Sequence, residues 1–294
     1  MDRTKTVAGL IACLLLCGCS RPDADRAIRV GSKNFTEQVL LGEIVAQHLE
    51  HKLHRTVERR LNLGGTLLAH QAILSGEIDL YPEYTGTALT AILKQPPAMD
   101  ATAVLARVRS EYRRRFRVEW LDPLGIDNSF AMVVRGPEAR RRGLASLSDA
   151  ARVADGWTLG AGYEFEQRPD GLAALENTYH LRFVSTPRSM DLGLLYQALE
   201  HGQVDMIAAN ATDGVLAKLD VKVLADDRHA FPPYQVSIAV REDTLRRIPG
   251  LRAVLLDLSG RFTNSKMQAL NYEVDGEHRP AAEVAAEFLK EQGM

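Results

Sequence analysis

From Ala27 to Lys94 the chain alternates three times between a short apolar segment and an amphipathic one, and this rhythm constrains the fold most. Ala27 to Val30 reads as a strand. Gly31-Ser-Lys-Asn34 turns the chain, and Val39, Leu40, Ile44, Val45 and Leu49 then recur at helical spacing. Asn34 and Glu37, three residues apart, match a variant capping box. A loop of free backbone N–H groups with Lys33 at a helix start suits an anionic group. Val57 to Leu63 reads as a second strand. Gly64-Gly65-Thr66 then opens a helix through Leu67, Leu68, Ile73 and Leu74, with Gly76 as its C-cap. Ile78 to Tyr81 is a third strand, and a helix from about Thr85 to Lys94 ends at Pro96-Pro97. Such alternation calls for an α/β fold, a mainly parallel sheet with helices on both faces.

The pattern restarts further on. Trp120 to Val134 reads as a crossing into a second domain. Strand Trp157 to Gly160, loop Gly162 to Gly171 and a helix to Tyr179 follow, then strand Arg182 to Val184, helix Leu192 to His201 and strand Val204 to Ala208. Gln235 to Val240 reads as the return crossing, and amphipathic helices Leu251 to Phe262 and Ala281 to Leu289 complete the first domain. The expected division is lobe I at 27–131 plus 236–294 and lobe II at 132–235, two α/β lobes hinged around a cleft.

Formal net charge is −2, so nucleic acid is excluded as the main partner. The basic run Arg113-Arg-Arg-Phe-Arg117, within a helix-like stretch from Ala103 to Trp120, reads as a solvated helix face. The first residues differ in kind. Arg3 and Lys5 precede an apolar run from Val7 to Cys17, far short of the ~20 residues that span a bilayer. It reads as an export signal rather than a transmembrane helix. Gly18 before Cys19 resembles a lipobox, so 1–18 reads as a lipoprotein signal peptide, Cys19 as the acylated residue and 19–26 as a tether. The expected location is periplasmic, lipid-anchored to the membrane. Cys13, Cys17 and Cys19 are the only cysteines, which leaves the body without a disulfide or a thiol nucleophile.

Tyr81, Tyr84, Phe130, Tyr163, Phe165 and Tyr234 fall at turns or crossings, with Lys33 and Arg168 beside them. Aromatic faces hold a cation that makes no hydrogen bonds, and a guanidinium forks onto a carboxylate. A zwitterion with a methylated ammonium needs this mixture. His48, His51 and His54 could share a helix face, but nothing complements them at metal-ligand spacing, so no metal site is expected. G-x-S-x-G, Walker A, G-x-G-x-x-G and H-E-x-x-H motifs are absent from the sequence. Glu37, Asp79 and Glu83 could pair as acid and base, and are equally well explained by caps and turn hydrogen bonds. An anchored periplasmic enzyme is the reading from a different class.

Gly31-Ser-Lys-Asn-Phe-Thr-Glu-Gln38, Asp79-Leu-Tyr-Pro-Glu-Tyr-Thr-Gly-Thr87, Arg168-Pro-Asp-Gly171, Thr212-Asp-Gly214, Phe231-Pro-Pro-Tyr234 and Leu270-Asn-Tyr-Glu-Val-Asp-Gly276 recur here in a characteristic order. Together this set resembles the osmoprotectant substrate-binding proteins of ABC transporters, which take glycine betaine, choline or carnitine. The resemblance implies a two-lobed periplasmic-binding-protein fold with two hinge crossings, no cofactor, a monomer, and a membrane permease as partner. It also implies residue roles. Lys33, Thr87 and Arg168 match positions that hold the ligand carboxylate, and Tyr84 and Tyr234 match walls of an aromatic box. Asn128 matches a position whose carbonyl faces the cation. Two positions depart from the pattern: Phe130 and Asn210 stand where the family often carries Tyr. An incomplete box leaves a second expectation, the same fold binding a different amine or an amino-acid-like solute, with Tyr163 as a replacement wall.

Overall fold

The computed structural model describes residues 26–294. The expectations for Cys19 and the signal peptide therefore lie outside the described residues. The strands are β1 (Ile28–Gly31), β2 (Val57–Arg60), β3 (Leu80–Tyr84), β4 (Val118–Trp120), β5 (Phe130–Arg135), β6 (Leu159–Ala161), β7 (Arg188–Ser189), β8 (Met206–Asn210), β9 (Val221–Val223) and β10 (Val236–Arg241). They form two five-stranded sheets, ordered β2-β1-β3-β10-β4 and β7-β6-β8-β5-β9.

Neither sheet is mainly parallel. In the first, β1 runs parallel to β2 and β3, while β10 is antiparallel to β3 and β4. In the second, β6 runs parallel to β7 and β8, while β5 is antiparallel to β8 and β9. The reversed strands are the two that follow a crossing. A strand fed by a crossover helix starts at the far end of the sheet, whereas β5 and β10 enter from the junction between sheets and run the other way. The crossings are zipped together at that junction. Asp127 bridges Gln235, the Asn128 N–H donates to the Tyr234 carbonyl, and the Tyr234 N–H donates to Asp127.

Period-two alternation puts the first sheet between two cores. Leu80, Ile238 and Val240 face the helices Thr36–Leu53, Leu251–Leu256 and Ala281–Glu291, meeting Leu40, Ile44, Leu255 and Phe288. Tyr81 and Ala239 face the helices Thr66–Ser75 and Ala101–Phe116, meeting Ile73, Val104, Val108 and Tyr112. Gly76 closes the helix Thr66–Ser75 with a left-handed backbone (φ 76°). That helix buries Ala69, Ala72 and Ile73 and leaves Leu67, Leu68 and Leu74 exposed.

Several expectations give way. The third strand continues through Pro82 to Tyr84. The bonds Thr85 N–H to Gln235 and Arg241 N–H to Asp79 put the odd residues of β3 in the bonded pairs with β10. The nitrogen of Pro82 therefore points toward β1, whose pairing with β3 stops at Leu80, and no ladder bond is lost. After the strand comes one α-turn, Thr85–Thr87, then a π-helical turn, Ala88–Ile92, instead of a single longer helix. Arg182 to Val184 is not a strand. Val184 is 64% exposed, and Arg188–Ser189 supplies the edge of the sheet. The N-cap of helix Thr36–Leu53 is Phe35, without a side-chain cap, so Asn34 and Glu37 form no capping box. His48 turns inward to the Val254 carbonyl and His54 is the left-handed C-cap, so the three histidines do not share a face.

Candidate functional site

The ends of β1 and β3 nearest the junction carry the first charged group. The chain leaving β1 delivers Lys33, whose Nζ lies 2.6 Å from Glu83 Oε1 and 4.6 Å from the centre of the Tyr84 ring. Glu83 and Tyr81 lie two apart on β3 and so share a face, and the Tyr81 hydroxyl donates to Glu83 at 3.2 Å. Lys33 thus arrives with a buried carboxylate partner.

Glu37, one helical turn further on, is the hub of the junction. Its carboxylate accepts from the Tyr84 hydroxyl (2.6 Å), Asn128 Nδ2 (2.9 Å) and the Thr212 hydroxyl (2.5 Å). Asn128 Oδ1 in turn accepts the Thr212 N–H at 3.2 Å. One side chain so ties the first sheet, a crossing and the segment after β8. Burial pushes the Glu37 carboxyl above its ordinary range, and the donors from Thr212, Tyr84 and Asn128 offset only part of that push. Asp213 forms a second acidic group. It accepts from the Tyr196 hydroxyl (2.9 Å), the Asn210 N–H (3.1 Å) and Asn210 Nδ2 (3.3 Å). Burial carries its pKa to about 6.

Arg168 follows the helical turn Tyr163–Gln167. It forks onto Asp170 (3.0 and 2.5 Å), which also accepts the Tyr234 hydroxyl at 2.6 Å. Burial raises the Asp170 carboxyl, but the Arg168 hydrogen bonds and charge outweigh it and hold the group below its usual range. The guanidinium lies 5.2 Å from the Phe130 ring centre and 5.6 Å from that of Tyr234. Phe130 meets Phe165, Phe231 and Tyr234 edge to face at 4.8, 5.4 and 5.5 Å, geometry that aromatic quadrupoles favour. Glu164 reaches across to the first sheet's helices. It accepts both the Thr66 N–H (2.5 Å) and the Thr66 hydroxyl (2.9 Å), capping the N-terminus of helix Thr66–Ser75.

These groups enclose one cavity of about 540 Å³ between the two sheets. Lys33, Tyr84, Thr87, Asn128, Phe130, Arg168, Asn210 and Tyr234, the eight side chains singled out from the sequence, all line it. Their connections differ from simple ligand-ready groups. Lys33 and Arg168 are already ion-paired, the Asn128 amide is spent on Glu37 and Thr212, and Asn210 is tied to Asp213. Tyr163 also lines the cavity, yet it is 59% exposed at the rim. The buried aromatic beside Asn210 is instead Tyr196, joined to it through Asp213. Sequence reasoning missed Tyr196, because a tyrosine inside a helical pattern reads as core. It also treated Glu37 as a cap. The spacing of Asn34 and Glu37 fitted that reading, and only the partner positions far along the chain reveal the other role.

The electrostatics lean one way. Glu37, Glu164, Asp191, Asp213 and Asp275 line the cavity against Lys33 and Arg168, five carboxylates to two cations. Acid and aromatic faces together suit a cationic guest. Among the described residues no group of three His, Cys, Asp or Glu side chains gathers to hold a metal ion.

Comparison with known proteins agrees with this geometry. Residues 26–291 match the family described as the substrate binding domain of ABC-type glycine betaine transport system. The chain is 33% identical to the carnitine transport binding protein of Listeria monocytogenes over 96% of its own length and 93% of the relative's. It is 35% identical to a glycine-betaine-binding protein of Pseudomonas aeruginosa, over 97% of this chain and 93% of that one. A crystal structure of a glycine betaine/carnitine/choline ABC transporter superposes with a TM-score of 0.77 at 31% identity, covering 90% of this chain and 98% of that one. The chain belongs to the family of substrate-binding domains of ABC-type glycine betaine transport systems, two-lobed receptors of importers and not enzymes.

Proposed function

We propose that the cavity binds a quaternary-amine osmoprotectant between two lobes, 27–131 plus 236–294 and 132–235, and that closure presents it to an ABC permease. The observation that carries this reading is the enclosure of aromatic rings and uncompensated acid in one cavity. Tyr84, Phe130, Tyr196 and Tyr234 supply faces or edges, with Glu37 and Asp213 beneath them. A methylated ammonium gives up no hydrogen bonds when it leaves water, and each ring contributes about 0.5–2 kcal/mol to holding it. Tyr196, joined to Asn210 through Asp213, supplies part of the wall that Asn210 leaves open. In this reading Thr87, Lys33 and Arg168, which line the cavity, face any ligand carboxylate.

The pairing of Lys33 with Glu83 and Arg168 with Asp170 favours a second reading within the same class. Both cations are neutralised, so a simple cation such as choline gains more from this cavity than a zwitterion such as glycine betaine. Outside the described residues, Cys19 is proposed to carry acyl chains after removal of 1–18, which would hold the receptor on the outer side of a membrane, and the receptor is proposed to act as a monomer. Titration calorimetry on refolded protein with choline, carnitine and glycine betaine tests the ligand. Choline tightest supports the second reading, glycine betaine tightest supports the first alone, and no heat from any of the three from folded protein refutes both.

A further inference from the structure

The basic run at Arg113 to Arg117 has no part in the cavity, and the topology gives it a place. β1 begins just after Arg26, β4 begins just after Arg117, and β10 ends at Arg241, which pairs with Val118. Arg26, Arg117 and Arg241 therefore meet at one edge of the first sheet. Lys33, Tyr84 and Tyr234 lie at the opposite ends of β1, β3 and β10. The basal edge holds a groove lined by Arg26, Arg29, Arg241, Arg246 and Arg247 against two acids, Asp79 and Asp243.

Burial sorts the charges. Glu242 is approached by Arg113, Arg117 and Arg246 at 3.9, 3.8 and 3.7 Å. Its side chain is only 14% exposed, while those of Arg117 and Arg246 are 82% and 71% exposed. Glu119 lies equally deep beneath Arg113 and Arg252. Carboxylates form the inner layer and guanidinium groups the outer one, so this face is positive on a chain of net charge −2. Guanidinium groups fork onto phosphate oxygens, are weakly hydrated, and remain charged at any physiological pH.

We propose that this basal face rests on the anionic headgroups of a phospholipid membrane. The length of chain before it points to that occupant. Cys19 and Arg26 are seven residues apart. At about 3.5 Å per residue an acylated Cys19 keeps the face within about 25 Å of the bilayer. This choice of partner rests on the reading of Cys19 as the anchor. Adsorption would park the receptor with its cleft turned away from the lipid. Each arginine near an anionic surface strengthens partition roughly fivefold.

The test is flotation of the unacylated chain from Ser20 with lipid vesicles; both sheets and their cores lie within 26–294, so the fold is kept. The chain is expected to float with vesicles of equal phosphatidylglycerol and phosphatidylcholine at about 50 mM salt and to be released at about 500 mM. Arg117→Gln with Arg246→Gln should weaken partition about 25-fold. Arg188→Gln, on the exposed edge of the second sheet, should leave it unchanged. Equal flotation of the double variant, equal flotation with pure phosphatidylcholine, or displacement by inorganic phosphate at constant ionic strength would overturn the proposal. The last result would mark a discrete phosphate site. The anchor reading is judged separately, from the mass of the mature N-terminus of the full chain. An unacylated Cys19 would refute the anchor and leave the flotation result to stand or fall alone.

Discussion

The two edges of the first sheet carry opposite electrostatics. At the junction edge, Glu37 is buried without a cationic partner on its carboxylate and its pKa rises. At the basal edge, Glu119 is covered by Arg252 and Arg113, and despite partial burial its pKa falls. The same residue type is left short of positive charge where it is fully buried and is surrounded by it where it is partly buried. A net charge of −2 conceals this division. The deficit is where a cationic solute can complete the balance, and the surplus is where the protein can meet an anionic surface.

The comparison breaks most visibly if ion pairs near the cavity are disrupted. Arg168→Ala strips Asp170 of its fork and should cost about 3–5 kcal/mol in urea denaturation, with Arg168→Ala/Asp170→Ala recovering most of it. A loss below about 1 kcal/mol would mean that Asp170 is far better hydrated than its burial implies. Removing the deficit itself comes next. Glu37→Gln keeps the shape but lowers the negative charge, and choline affinity measured by calorimetry should fall about thirtyfold, near 2 kcal/mol. The same substitution should leave vesicle flotation unchanged.

Asp213 gives a pH dependence of known sign. Its pKa is raised from 3.8 to about 6 by burial, so the folded protein keeps the proton that the unfolded chain releases. Stability from this group is therefore highest below about pH 4 and is lost as pH rises toward 6. Cation binding runs the other way, since only the ionised form attracts it. Choline affinity should drop up to about tenfold from pH 7 to pH 5, and Asp213→Asn should flatten that profile. A steeper slope in the variant would exclude Asp213 as the titrating group. The smallest effect is expected from Asn210→Tyr, where one added ring should tighten choline binding about fivefold. Unchanged or weaker binding would show that Tyr196 already fills that wall.

The fold was legible where local rules act. Glycine at a left-handed position closed the helix at Gly76, and period-two alternation placed Leu80 and Tyr81 on opposite faces. The direction of β5 and β10 was not legible, because strand polarity depends on which end of the sheet the connection enters. Pro82 reads as a turn in any window of sequence, and it is tolerated in β3 only because β1 has stopped pairing there. The cavity followed the same division. Tyr84, Phe130, Arg168 and Tyr234 stood out as aromatic or basic residues at connections. Glu37 and Asp213 did not, since the donors that define them come from Asn128, Thr212 and Tyr196, and only folding brings these together. The arginine layer was visible as a run, but its meaning came from Arg26, Arg241 and Arg246, which are distant in sequence.

The most direct test of the central claim compares choline with its uncharged tert-butyl isostere, which keeps the shape and replaces the nitrogen by carbon. Both are titrated into refolded protein at neutral pH. If the charge deficit around Glu37 and Asp213 selects the solute, choline binds at least tenfold more tightly than the isostere. Equal affinities, or no detectable binding of either, would contradict a cavity built to hold a cation.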